Sequence, residues 1–316
     1  MKASSIALAI GLTFAALAAP ASASTTFTIT DLGTLGGTIS YGYCINNSGQ
    51  DAGAARITAG TQHAAIWNNG TPTDLGSGSV VSQGNDLNNN GVVVGYAAAR
   101  ATVWANGTAT TLKQMTGSTL SYANSINDSG QIVGYSNYTG ATEYHAVLWN
   151  SSSAAPIDLG ALGGDASYAQ DINNAGQVVG VATTSTGALR AALWENGSVT
   201  NLGTLVNANS SYAYSINEAG DVVGYSGGIN GNVNARSATL WSEGALTDLG
   251  TLGGIRSEAF GINASGQVVG YSTLTGMTNS RAFIWDNGVM SDLNSLIDSS
   301  LGWTLTRAEA INDAGQ

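Results

Sequence analysis

The sequence predicts an all-β fold: a β-propeller of four-stranded antiparallel blades, with an open β-solenoid as the alternative architecture. Three observations lead there. Charged residues make up only 9% of the chain, against 43% hydrophobic residues and 43 glycines, too apolar for disorder and too Gly-rich for a helical bundle. Val, Ile, Thr, Tyr and Trp recur between Gly, Asn and Asp clusters, the pattern of short strands and turns. An Ile-Asn or Leu-Asn pair, with Gly three residues after its Asn, returns every 39 to 49 residues, a period typical of stacked or circular arrays.

The pairs stand at Ile45-Asn46, Leu87-Asn88, Ile126-Asn127, Ile172-Asn173, Ile216-Asn217, Ile262-Asn263 and Ile311-Asn312, so about seven blades are expected. Each repeat divides into four segments, as in "SYANSIN", "GQIVGYS", "HAVLW" and "IDLGALGG". Asn-x-x-Gly between the first two suits a type I turn closed by a left-handed Gly. Asn69-Gly70, Asn106-Gly107, Asn196-Gly197 and Asn287-Gly288 are two-residue hairpin signals between the last two, and Glu243-Gly244 takes the same place.

Residues 1–23 read as a signal peptide. Lys2 precedes the apolar run "IALAIGLTFAALAA", and Ala21-Ser22-Ala23 offers small residues for cleavage. The repeat domain then spans 24–316, and the motif order places its last residues inside an incomplete final repeat. The expected location is extracellular or at the surface of a bacterium, with the periplasm as the other exported compartment. No later segment reaches membrane-spanning length. Removing Lys2 takes the net charge from −11 to −12 and leaves Lys113 as the only lysine, a poor match for a phosphate backbone, so no nucleic-acid partner is expected. Cys44 is the sole cysteine, which rules out an internal disulfide; it reads as a packed thiol.

Five segments resemble "RAFIW" at 281–285: "HAAIW", "RATVW", "HAVLW", "RAALW" and "RSATLW". With Asn69-Gly70 as the turn, Ala65 pairs with Asp74, so His63 becomes the diagonal neighbour of Asp74. The same spacing pairs Arg281 with Asp292, and His145 with Asp158 through a longer loop. Allowing a one-residue shift, it pairs Arg236 with Asp248. Arg100 and Arg190 face Thr111 and Asn201, which carry no charge. These bases read as structural partners of the recurrent acid; a basic ring holding an anionic ligand is the competing explanation.

The stretch "DLGTLGG…IN.SGQVVGYS…RAFIW..G.M.DL" over 248–293 resembles the HAF repeat of bacterial extracellular repeat proteins, in which Arg281-Ala282-Phe283 stands at the His-Ala-Phe step. The likeness runs from 31 to 316, weakest at "LGTLVN" and in the second repeat. It implies an exported protein with no established catalytic role, often continuing to a short C-terminal sorting anchor of the PEP-CTERM type, and it supplies no catalytic residues; "LGWTLTRAEAINDAGQ" is similar to the closing repeat of that family.

Candidate chemistry is sparse. "DLNNNG" at 86–91 matches the opening of a calcium loop, which makes Asp86, Asn88 and Asn90 a weak calcium candidate, but Ala97 stands where the bidentate Glu belongs. The "GTLGG" stretches lack the Lys and the helix of a phosphate loop. A nucleophilic triad would need His63 or His145, both already engaged, and no carboxylate pair stands out among Asp51, Asp128, Asp165, Asp171, Glu218 and Asp221. No cofactor is indicated. Tyr41, Tyr122, Tyr168 and Tyr212 recur in the first strand, either as core or as an aromatic surface for sugar rings. The expected function is therefore a non-enzymatic exported binding or surface-structural module. Its partner is unidentified, with extracellular polysaccharide or a surface protein as candidates, and a secreted carbohydrate-active or lyase-type propeller enzyme is the alternative.

Overall fold

The computed structural model describes residues 26–138, 143–276 and 279–316; the segment read as a signal peptide lies outside them. The chain forms a β-propeller. Blade one comprises β1 (Gly36–Ile45), β2 (Gln50–Ile57), β3 (Gln62–Asn68) and β4 (Thr71–Asp74), paired in that order and antiparallel. Blade two comprises β5 (Ser82–Leu87), β6 (Val93–Ala97), β7 (Arg100–Ala105) and β8 (Thr108–Thr111). Blade three comprises β9 (Ser121–Ile126), β10 (Ile132–Ser136), β11 (His145–Trp149) and β12 (Ile157–Asp158). Blade four holds β13 (Gly163–Ile172), β14 (Val178–Thr184), β15 (Leu189–Glu195) and β16 (Ser198–Gly203). Blade five holds β17 (Ser210–Ile216), β18 (Val222–Gly227), β19 (Arg236–Ser242) and β20 (Ala245–Gly250). Blade six holds β21 (Gly253–Ile262), β22 (Val268–Leu274), β23 (Ser280–Asp286) and β24 (Val289–Asp292). At the seventh place, among the described residues, stand an inner segment around 303–316 and an outer segment around 26–32. The outer segment is tied to residues 296–297 by the Phe27 N–H bond to the Leu296 carbonyl (2.8 Å) and a bridge from Phe27 to Ile297.

The hairpins follow the turn chemistry. Asn69 and Gly70 have φ of 49° and 74°, Asn287 and Gly288 have 48° and 85°, and Glu243 with Gly244 adopts the same pair of left-handed values. Two successive positive φ angles are what a type I′ turn requires. The third-strand tryptophans fill the space between blades: Trp149 packs with Val94, Val103 and Leu112 of blade two, and its indole N–H donates to the Lys113 carbonyl at 2.8 Å. The Asp that recurs in the fourth strands of blades one, three and five caps the connector. Asp74, Asp158 and Asp248 each accept from the backbone N–H of the Gly two residues on, at 2.8 Å.

A ring of asparagines closes the array. Each Asn that follows the recurrent Ile or Leu uses Oδ1 to cap its own turn, as when Asn46 accepts from Ser48 and Gln50. Its Nδ2 donates to the carbonyl of the equivalent Asn in the next blade. The bonds run Asn46 to Asn88 (3.1 Å), Asn88 to Asn127 (3.1 Å), Asn127 to Asn173 (3.1 Å) and Asn173 to Asn217 (3.1 Å). They continue from Asn217 to Asn263 (3.3 Å), from Asn263 to Asn312 (3.1 Å) and from Asn312 back to Asn46 (3.0 Å). All seven side chains are buried. Seven-fold closure rules out the open solenoid.

Asn312→Ala removes the closing bond and leaves buried carbonyl and N–H groups unpaired, a loss of about 1–3 kcal/mol. Thermal melts should show Asn312→Ala and Asn127→Ala destabilised to the same extent. A terminal Asn that matters far less than the internal one would contradict closure.

Candidate functional site

The channel mouth opposite the asparagine ring is built by a bulge in each inner strand. Register slips by one residue at Tyr43, Asn85, Asn124, Gln170, Tyr214 and Phe260. A β-bulge re-aims the extra side chain, and Asn85 and Asn124 reach the carbonyls of Ala123 and Ala169 on the next inner strand, both at 2.8 Å. The bulge needs glycine opposite. A Cβ at Gly134 would lie 1.9 Å from the Tyr122 carbonyl oxygen, and the equivalent Gly53, Gly95, Gly180, Gly224 and Gly270 are equally crowded.

Two residues before each bulge, and roughly 16 Å along the strand from the asparagine ring, stand the tyrosines expected to be either core or surface. Tyr41 is 47% exposed and stacks on Tyr43 at 6.0 Å; Tyr122, Tyr168 and Tyr212 are half-buried. They join tyrosines of the second strands. One run links Tyr96, Tyr122, Tyr135 and Tyr168, with ring centroids 5.0 to 5.1 Å apart. A second run links Tyr212 to Tyr225 (4.9 Å), Tyr225 to Tyr214 (5.9 Å), Tyr214 to Phe260 (5.2 Å) and Phe260 to Tyr271 (5.8 Å). Burial pushes the Tyr135 and Tyr271 phenols up to about 12 and raises Tyr96, Tyr168, Tyr212, Tyr214 and Tyr225 as well. At neutral pH these phenols keep their protons and can donate hydrogen bonds. Sequence reasoning missed the second-strand partners, although the recurrent Val-Gly-Tyr step displayed them: Tyr122 pairs with Tyr135 and Tyr212 with Tyr225 across the hairpin.

Blades five and six depart from the repeat. Glu258 holds the position of Tyr212, is only 4% exposed, and forms an ion pair with Arg236. Tyr271 donates to the same carboxylate at 2.7 Å, and the Arg236 guanidinium lies 4.7 Å from the Tyr225 ring centroid. Burial opposes the Arg236 charge, but Glu258 more than offsets this and raises its pKa. This corrects the expected pairing of Arg236 with Asp248. The extra residue in "RSATLW" puts Ser237, not Arg236, in the position of His63, and Ser237 hydrogen-bonds Asp248. Side chains alternate along a strand, so one inserted residue turns the arginine to the other face.

The remaining basic positions lie as follows. His63 Nδ1 is 2.9 Å from Asp74 and His145 Nδ1 is 2.8 Å from Asp158; their Nε2 atoms meet the carbonyls of Gly78 and Asp165. Among the described residues, both ring nitrogens of each imidazole are taken by a carboxylate and a carbonyl. Arg281 Nε stands 3.9 Å from Asp292. Arg190 bonds the carbonyls of Leu189 and Asn209 rather than Asn201.

The calcium candidate is not brought together. Asn88 belongs to the ring, Asn90 donates from Nδ2 to the Asp128 carbonyl, and Asp86 accepts from Ser125 Oγ (2.8 Å) and the Ile126 N–H (2.9 Å) of the next blade. Ser125 Oγ also lies 2.7 Å from Asp171, and its single hydroxyl proton serves only one of the two carboxylates at a time. Burial, with the Asp171 charge adding to it, pushes Asp86 up to about 7. Cys44 packs beside it, its thiol raised by burial and 3.6 Å from the Ala52 carbonyl. At the ring end, a cavity of about 180 Å³ is bordered by Asp128, Glu218 and Asp313. These carboxylates cap backbone N–H groups of Asn89, Asn174 and Ala264.

No family model matches the chain, and no curated protein matches it either. Among solved structures it is similar to TolB from Acinetobacter baumannii, with 14% identity, 76% of this chain and 62% of that one covered, and a TM-score of 0.54. It is similar to an acylaminoacyl peptidase from Pyrococcus horikoshii at 12% identity, 80% and 46% coverage and a TM-score of 0.50. The SapL1 lectin, solved with α-methyl fucoside, aligns at 15% identity, 79% and 93% coverage and a TM-score of 0.44. The chain thus spans less than two thirds of the length of TolB and of the peptidase. The likenesses to TolB and to the peptidase show the propeller fold alone.

Two outcomes follow from the charged groups. Folding raises the Asp86 pKa above its unfolded value, so its contribution is full below about pH 4 and is lost as pH rises through about 7, by at most about 4 kcal/mol. Asp86→Asn should flatten the fall in stability between those limits, read as urea midpoint against pH. Asp51, pushed up to about 6 by burial, keeps part of the slope. In double-mutant cycles, the half-exposed Arg281–Asp292 pair should couple by under about 1 kcal/mol. Arg236→Ala, which strands a buried carboxylate, should cost more than Arg281→Ala.

Proposed function

We propose that the chain is an exported, non-catalytic binding propeller whose aromatic mouth holds carbohydrate of an extracellular or surface polymer. The observation that carries this reading is the pair of continuous tyrosine runs, partly exposed, at the end of the channel that the asparagine ring leaves open. Aromatic faces with protonated hydroxyls at their rims suit sugar rings, which offer C–H faces for stacking and hydroxyls for hydrogen bonding. The resemblance to HAF-repeat extracellular proteins and the signal-peptide pattern of residues 1–23 support the exported location. Among the described residues, no helix is long and apolar enough to cross a membrane.

The competing enzymatic reading rests on one observation, the unrepeated Arg236–Glu258–Tyr271 cluster. Glu258 is engaged by Arg236, and the Tyr271 phenol, raised to about 12, is a poor base at neutral pH. Binding without turnover is the outcome expected of this arrangement.

A glycan and polymer array followed by calorimetry tests the proposal. Tyr122→Ala and Tyr168→Ala should each weaken binding about fivefold or more, since stacking contributes on the order of 1 kcal/mol per ring beyond area, with melts of each variant showing that the fold persists at the assay temperature. Polysaccharide cleavage abolished by Glu258→Gln would establish the enzyme instead.

A further inference from the structure

We infer that blades five to seven form an anion-selective subsite within this mouth, built for a carboxylate borne on a sugar ring, so that the natural polymer is an acidic, uronate-type polysaccharide. The inference rests on the carbohydrate-binding reading above and adds the charge of the ligand to it. The chain has seven arginines and a net charge of −11, a field that repels polyanions unless cations are concentrated where the polymer lands. The subsite takes three of the seven, each from these blades. Arg236 and Arg256 are paired across adjacent blades, and Arg307 comes from the inner segment of blade seven.

Each guanidinium is fixed by a partner on one edge. Arg236 is held by Glu258 and lies over Tyr225. Arg256 donates from Nε to the Asn234 carbonyl at 2.7 Å and from Nη2 to Asn234 Oδ1 at 2.9 Å. Arg307 is held by Glu309 at 2.7 Å, with its guanidinium 3.8 Å from the Phe260 ring centroid. These bonds use part of each guanidinium's donors and leave N–H groups over for an incoming carboxylate, whose planar geometry matches the guanidinium fork. Preset guanidiniums lose little conformational freedom on binding. Phe260 and Tyr271 lie between Arg307 and the Arg236–Glu258 pair, which places an aromatic face beside the cations.

Two separate departures from the repeat meet at this point. The inserted residue turns Arg236 away from Asp248, and Glu258 replaces the repeat's tyrosine and receives it. Either change alone would leave a half-buried arginine or a buried carboxylate without its partner, at a cost of several kcal/mol. The position beside Asp248 is already filled by Ser237, so Arg236 is not needed there and is held instead by Glu258 and the Tyr225 ring.

The test compares binding of a uronate oligosaccharide, a neutral oligosaccharide of equal length and a sulfated one to the whole chain by calorimetry at low and high salt. The expected result is uronate bound at least about tenfold more tightly than the neutral sugar at low salt, with the preference shrinking as salt screens the charges. Arg256→Ala and Arg307→Ala, both at partly exposed positions and checked by melting, should erase that preference while neutral-sugar binding survives. Equal binding of neutral and acidic sugars, indifferent to both variants, overturns the subsite and leaves the carbohydrate reading standing. Tighter binding of the sulfated sugar overturns the carboxylate assignment, and no binding of any sugar overturns both.

Discussion

The structure depends on one repeated contact: the side-chain amide of an asparagine bonding the main-chain carbonyl of the next. Each asparagine performs two tasks. Its oxygen ends the first hairpin of its own blade, and its nitrogen fixes the distance to the following blade. Turn formation and blade spacing are therefore set by the same atoms, so a blade with a correct hairpin already presents the donor that its neighbour needs. Blades of a circular array bury their faces only against neighbours. A rigid ring at one end of the channel holds those faces in contact, and the tryptophan between blades then fills the space the ring has defined.

The opposite end is free to vary because the ring carries the geometry. Inner strands diverge from regular pairing at the bulge, and the glycine facing it is obligatory for steric reasons, whatever the bulged residue is. Tyr43, Asn85, Gln170 and Phe260 can thus occupy equivalent sites without disturbing the sheet. One end has a fixed chemistry and the other a variable one. That division suits a binding scaffold: residues that differ between blades, such as the bulged ones and Glu258, share the mouth with the recurrent tyrosines, and the closing asparagines lie at the other end.

Much of the architecture was legible in the sequence because its determinants are local. Asn-Gly specifies its own turn, and the hairpin register that places His63 beside Asp74 follows from counting outward from it. The asparagine ring was only half legible. Asn-x-x-Gly explains the oxygen of Asn46, but nothing near it in sequence indicates that its nitrogen bonds residue 88, and that second half exists only once the blades are arranged in a circle. The error at Arg236 has a similar origin. Spacing to Asp248 looked tolerant of one extra residue, yet strand alternation is not tolerant, and the insertion exchanged one face for the other. Its true partner, Glu258, lies in another blade, beyond the reach of any intra-repeat rule.

Charge burial shows how far the repeat can be bent. His63 and His145 each meet the Asp of their own hairpin through Nδ1, while Nε2 of His63 reaches the connector carbonyl of Gly78 and Nε2 of His145 reaches Asp165 at the start of the next blade. Asp86 and Asp171 are placed differently. They meet around Ser125 across three blades, and burial pushes the Asp86 carboxyl up to about 7, so it gives up its proton less readily than it would in water. Glu258 meets the same problem with an arginine. The two solutions differ in what they leave behind: a protonated acid is electrically silent, whereas an ion pair keeps a guanidinium charged and oriented. The silent solution lies within the packed inner strands and the charged one at the open mouth. This is the distribution expected if the charge serves a ligand and the fold itself would be content without it.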